Sequence, residues 1–127
     1  MTRVVVLTER APQPKGAYSQ AIVANGLLFT AGFGPHDPSN GNVVGSTIEE
    51  QTSQVLRNVE AVLSDHDLGW VDVVKSTVHL ADLARDFAGF NATYERVVVA
   101  PYPVRTTVGS TLAGILVEID VVAALRG

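Results

Sequence analysis

"VVKSTVHLADLARDFAGFNATYERVVVAPYPVRTTV", residues 73–108, changes its hydrophobic period twice. From Val74 to Leu80 the residues alternate, with Val74, Ser76, Val78 and Leu80 on one side and Lys75, Thr77 and His79 on the other. That is the pattern of a strand with one wet or functional face. From Asp86 to Val98 the spacing becomes three and four, placing Phe87, Phe90, Tyr94, Val97 and Val98 on a helical stripe that stops before Pro101. Alternation returns in "VRTTVG". Strand, helix and strand in this order predict a crossover with parallel pairing and a helix lying against the sheet.

Toward the N-terminus, "RVVVL" reads as a short strand, and the prolines and glycine of "ERAPQPKGA" make a loop leading to Tyr18. "AYSQAIVA" and "LLFTAG" flank Asn25-Gly26, the dipeptide suited to a tight hairpin. "GFGPHDPSNGNVVG" reads as a long irregular connection. Ser46-Thr47-Ile48-Glu49 has the form of a capping box, so a helix is expected from there to the region of Asp65 to Gly69, with Ile48, Val55, Val59, Val62 and Leu63 on its packed face. "ILVEIDVVA" supplies a last strand. The order β, β, β, α, β, α, β, β predicts a two-layer α+β fold, one domain over residues 1–127, with a mixed sheet and both helices on one face. The other face is left for polar residues or for partners.

Hydrophobic residues make up 46% of the chain and charged residues 17%, enough apolar material for a packed core. A net charge of −4 without a basic run argues against nucleic acid as a partner. The apolar N-terminal run is far too short to cross a membrane or to act as a secretory signal, so a cytoplasmic protein is expected. The absence of cysteine removes disulfides, thiolate ligands and a thiol nucleophile. His36, His66 and His79 lie in different elements without ligand spacing, so no metal site is expected. Gly32 and Gly34 in "AGFGP" match no phosphate loop, and Ser19, Ser76 and Ser110 stand in no hydrolase motif.

Two charges on late strands attract notice. Arg105 follows a Tyr-Pro pair and offers a planar fork suited to a carboxylate, while Glu118 lies between apolar Val117 and Ile119. Alternation puts Arg105 with Thr107, and Glu118 with Asp120, on the polar sides of their strands, which are expected to coincide with Lys75, Thr77 and His79. The two charges are then either solvated decoration or parts of a site. If the last two strands formed a hairpin, Arg105 and Glu118 would be neighbours. Tyr18 reads equally as core or as a site residue.

"APQPKGAYSQAIVANGLLFTAG", "QTSQVLRNVEAVL", "VVKSTVHLADL", "FAGFNATYE", "YPVRTTV" and "LVEIDVVA" together resemble the RidA family of enamine and imine deaminases, from about Ala11 to Ala123. The resemblance implies a chorismate mutase-like fold, a homotrimer with sites between subunits, and a last strand inserted beside "LLFTAG" instead of pairing with "VRTTVG". It also implies a 2-iminobutanoate/2-iminopropanoate deaminase-type hydrolase that removes damaging metabolites. Such an enzyme converts 2-imino or 2-enamino acids, such as 2-aminoacrylate or 2-iminobutanoate, to 2-oxo acids and ammonia without a cofactor. On matching positions Arg105 would clamp the substrate carboxylate and Glu118 would position water. Tyr18, Gly32, Asn91 and Thr107 would complete the binding site, Gly32 through a backbone donor and Thr107 through its main chain. "GAY" at 16–18, "AGF" at 31–33 and Thr107 depart from the family's usual "GPY", "SGQ" and cysteine, and Phe33 with "GPHDP" bears on which imine fits. The alternatives are a non-catalytic trimer that binds small carboxylates or regulates, and a ribonuclease.

Overall fold

Asn25 and Gly26 hold φ of 52° and 76°, the left-handed pair that a two-residue hairpin requires. They join β2 (Ala21–Ala24) to β3 (Leu27–Thr30), and β1 (Val4–Val6) pairs antiparallel with β2. The computed structural model describes residues 2–127. After β3 come α1 (Ile48–Ser64), a 3-10 turn at Trp70–Asp72, β4 (Val73–Leu80), α2 (Leu83–Val97), β5 (Val104–Gly109) and β6 (Val117–Ala124). They build a six-stranded mixed sheet in the order β1-β2-β3-β6-β4-β5, an α+β fold with both helices on one face.

β6 lies between β3 and β4, antiparallel to both, and β5 pairs only with β4, in parallel. This is the insertion beside "LLFTAG" that the resemblance implies, and the last two strands form no hairpin. In β6, Val117, Ile119, Val121 and Ala123 point into the helical layer and are almost fully buried, as a strand flanked on both sides and covered on one face must be. The packed stripe of α1 is Val55, Leu56, Val59, Val62 and Leu63.

Three local readings shift. The α1 capping box is Thr47 with Glu50, one residue beyond Ser46 and Glu49: Thr47 Oγ1 accepts from the Glu50 N–H at 3.1 Å, and Glu50 Oε1 accepts from the N–H groups of Thr47 and Ser46. Helix α2 begins at Leu83 because the Asp82 carboxylate caps the Arg85 N–H at 3.1 Å, ahead of the expected start at Asp86. Val74 sits at an irregularity in the β4–β6 ladder and is exposed, so it does not share the buried side of Ser76, Val78 and Leu80.

Buried amides fix the irregular segments. Asn58 on α1 donates to the carbonyls of Gly34 (3.0 Å) and His36 (2.9 Å), holding the connection after β3 against the helix. Gln20 accepts from the Thr8 N–H (2.7 Å) and donates to the carbonyls of Thr8 (3.0 Å) and Pro12 (2.9 Å), so the loop after β1 is held at its root.

Candidate active site

In the parallel β4–β5 ladder Ser76 is the register partner of Arg105, and Val78 that of Thr107. Paired residues project to the same face of a sheet, and Ser76 and Val78 are buried under the helices. Arg105 and Thr107 therefore lie on the helix side, while Val104, Thr106 and Val108 take the open side. This corrects the expectation that all polar sides coincide. It holds for Glu118 and Asp120, whose β4 partners are His79 and Thr77 on the open face. It fails for Arg105 because β5 enters the sheet in the opposite phase.

The guanidinium of Arg105 rests on α2, its Cζ 4.9 Å from the Tyr94 ring centroid, 5.4 Å from Phe90 and 5.9 Å from Phe87. The Tyr94 hydroxyl is bonded to Ser76 Oγ at 2.6 Å, and burial pushes the phenol pKa above its ordinary value. Asn91, between Phe87 and Tyr94 on the helix, donates to Glu95 at 3.0 Å. Thr107 Oγ1 is buried with no hydrogen-bond partner among the described residues.

On the opposite face Glu118 borders a pocket of about 130 Å³ lined by Pro12, Gln13, Lys15, Tyr18, Gly32, Phe33, Gly34, His36 and Glu118 itself. Gly32 lies against the carboxylate: a Cβ there would come within 2.8 Å of Glu118 Oε2. Tyr18 is 53% exposed, its hydroxyl accepting from the Lys15 N–H at 3.2 Å, so it is a wall of the cleft and not core. Phe33 is buried and bridges to Ile119 by paired backbone bonds of 2.9 and 3.1 Å. Burial holds the His36 imidazole below its ordinary pKa, Lys15 adds to that effect, and Glu118 opposes it. Asp120 is pushed up by burial, against His79 and Lys75. Neither Arg105 nor Glu118 belongs to an ion pair among the described residues.

The family described as Endoribonuclease L-PSP matches residues 8–125. The chain belongs to the RidA family. It is 42% identical to Reactive Intermediate Deaminase A, chloroplastic, of Arabidopsis thaliana, over 95% of this chain and 65% of that one. It is 33% identical to the 2-iminobutanoate/2-iminopropanoate deaminase of Homo sapiens, over 97% and 90%. A crystal structure of a Rid-family protein from Yersinia pestis superposes with a TM-score of 0.92 at 35% identity, over 98% and 100%.

Within this RidA chain the residues singled out from sequence separate into two groups. Tyr18, Gly32 and Glu118 meet at the pocket, while Arg105, Asn91 and Thr107 belong to the α2–β5 side. Phe33 and the His36 of "GPHDP" line the Glu118 pocket, the cleft on which the resemblance expects that stretch to bear, while Gln13 and Lys15 were not anticipated there. The signal for His36 was its place just after the Gly-Pro pair that ends the approach to the cleft. The rings under Arg105 were visible as a helical stripe, yet a stripe of aromatic residues reads as packing unless the register of the neighbouring strand is known.

Proposed function

We propose that the chain is a hydrolytic deaminase of 2-imino and 2-enamino acids that works as a homotrimer, each site joining Arg105 of one protomer to Glu118 of the next. The observation that supports this reading is the placement, on opposite faces of one sheet, of two complementary groups with no ion-pair partner among the described residues. A substrate a few ångströms long cannot span both faces of one protomer, so one molecule touches both groups only between copies of the chain.

In this reading Arg105 holds the substrate carboxylate through two parallel N–H···O bonds, which fixes the imine carbon relative to Glu118. Glu118 accepts a proton from water as the oxygen attacks that carbon and passes it to the imine nitrogen, which becomes the amine of a carbinolamine. Glu118 then takes the carbinol O–H proton and delivers it to that nitrogen as the C=O bond forms and the C–N bond breaks, releasing ammonia. An enamine first gains a proton at its β-carbon and gives up one from nitrogen to become the imine. Water supplies the oxygen, and the atoms balance as imine plus water to 2-oxo acid plus ammonia. Tyr18 and Gly32 shape the cleft around Glu118, Gly32 offering its backbone donor, while Asn91 and the Thr107 main chain border the carboxylate end.

The test is complementation. Arg105→Ala and Glu118→Gln are expected to be inactive separately against 2-iminobutanoate generated in place by a dehydratase. Trimers reassembled from an equal mixture of the two are expected to regain about a quarter of wild-type activity, because random mixing leaves about one site in four intact. No recovery in mixed trimers would sink the shared site, and full activity of Arg105→Ala would sink the deaminase.

A further inference from the structure

We propose that Phe87, Phe90 and Tyr94 form an aromatic bed that positions the Arg105 guanidinium, with Tyr94 as the positioning residue and Ser76 as the anchor of its ring. The proposal rests on the reading of Arg105 as a carboxylate clamp. A free arginine side chain has many rotamers to lose, so a clamp held out in solvent binds weakly unless something orders it beforehand. An acidic neighbour would order it but would occupy the same in-plane N–H groups that the substrate needs. Aromatic rings hold a guanidinium through its flat face and leave the fork open.

The residues around Arg105 fit that division. Its Cζ lies within 4.9 to 5.9 Å of all three ring centroids, and all three rings stand on one stripe of α2. Asp86, the acid adjoining Phe87 in sequence, is already taken by Arg85 through bonds of 2.8 and 2.9 Å. The Tyr94 ring is fixed at both ends: it packs on Phe90 with centroids 5.4 Å apart, and its hydroxyl meets Ser76 at 2.6 Å. Ser76 is also the strand partner of Arg105. One residue of β4 thus sets both the place where the arginine leaves the sheet and the ring it lands on.

The experiment compares wild type with Tyr94→Leu, Tyr94→Phe and Phe87→Leu, all in the intact protein. Turnover of 2-iminobutanoate, binding of 2-oxobutanoate and the NMR position of the Arg105 Hε proton, assigned with Arg105→Lys, are read on each. Tyr94→Leu is expected to raise KM and the 2-oxobutanoate Kd about tenfold while kcat changes little, and Tyr94→Phe, which keeps the ring but loses the Ser76 anchor, to raise them about threefold. The Hε proton is expected upfield in wild type through the ring currents and to move back in Tyr94→Leu. Phe87 is 41% exposed, so Phe87→Leu keeps the fold if Tyr94→Leu does not, and should show the same change to a smaller degree. An ordinary Hε position in wild type overturns the bed. So does an unshifted KM in folded Tyr94→Leu, or in Phe87→Leu if that is the variant that folds. A ring-shifted Hε in a protein that neither binds nor turns over the probes upholds the bed and removes the deaminase instead.

Discussion

Ser76 and Arg105 stand opposite one another across the parallel β4–β5 ladder, and that register sends the arginine toward α2 and away from Glu118. A group placed there by backbone pairing has a direction that depends on its shape as well as its charge. Arg105→Lys keeps the charge and loses the planar fork. We expect kcat/KM for 2-iminobutanoate to fall by about 10²-fold, mostly through KM, as measured by initial rates. Wild-type KM in the lysine variant would mean that charge alone suffices.

Gly32→Ala tests the other half of the site. The new methyl would meet the Glu118 carboxylate and its Cγ at 2.8 to 3.1 Å, and the side chain is the part free to swing away. Stability should stay within about 1 kcal/mol of wild type, while deaminase activity drops about tenfold or more as the carboxylate moves. Thermal unfolding and turnover, measured together, separate the two effects.

Gln20→Ala removes the amide that satisfies the Thr8 N–H and the carbonyls of Thr8 and Pro12. Gln20 is 1% exposed, so water cannot readily replace it. A loss of about 2–4 kcal/mol in urea unfolding is expected, with faster amide exchange in the loop that carries Gln13 and Lys15 to the cleft.

His36 reports on Glu118 by titration. Its pKa is held below the ordinary 6.5 by burial and then by Lys15, and Glu118 works in the opposite direction. Glu118→Gln removes the raising influence, so the His36 pKa should fall further, followed through its ring protons by NMR. Because the folded value lies below the unfolded one, the neutral imidazole favours the native state above pH 6.5. That contribution is lost as pH falls through the folded value. A His36 pKa that rises in Glu118→Gln would show that the two groups do not face the same pocket.

The order of elements was legible because each segment carries one clear period, and the Asn25-Gly26 turn is specified by two residues alone. What could not be read was phase. Alternation shows that Arg105 and Val104 take opposite faces, but the choice of face depends on pairing with β4, a long-range contact that local sequence does not encode. The same holds for Tyr94: its place on the helical stripe was visible, and its contact with Arg105 follows only from the Ser76 register. Helix starts moved by one to three residues because Thr47 instead of Ser46 caps α1, and because Asp82 caps α2 one turn ahead of the apolar stripe from which its start was read.

β6 follows every other strand in the chain, yet it lies between β3 and β4. During synthesis the β1–β3 meander and the β4–α2–β5 crossover emerge as two unfinished halves, each with an open edge awaiting the same missing strand. Neither half has its full set of backbone partners until Val117–Ala124 leaves the ribosome, so the native sheet closes late and through contacts distant in sequence. A ribosome stalled before that strand would hold a chain whose β3 and β4 edges both lack their native partner.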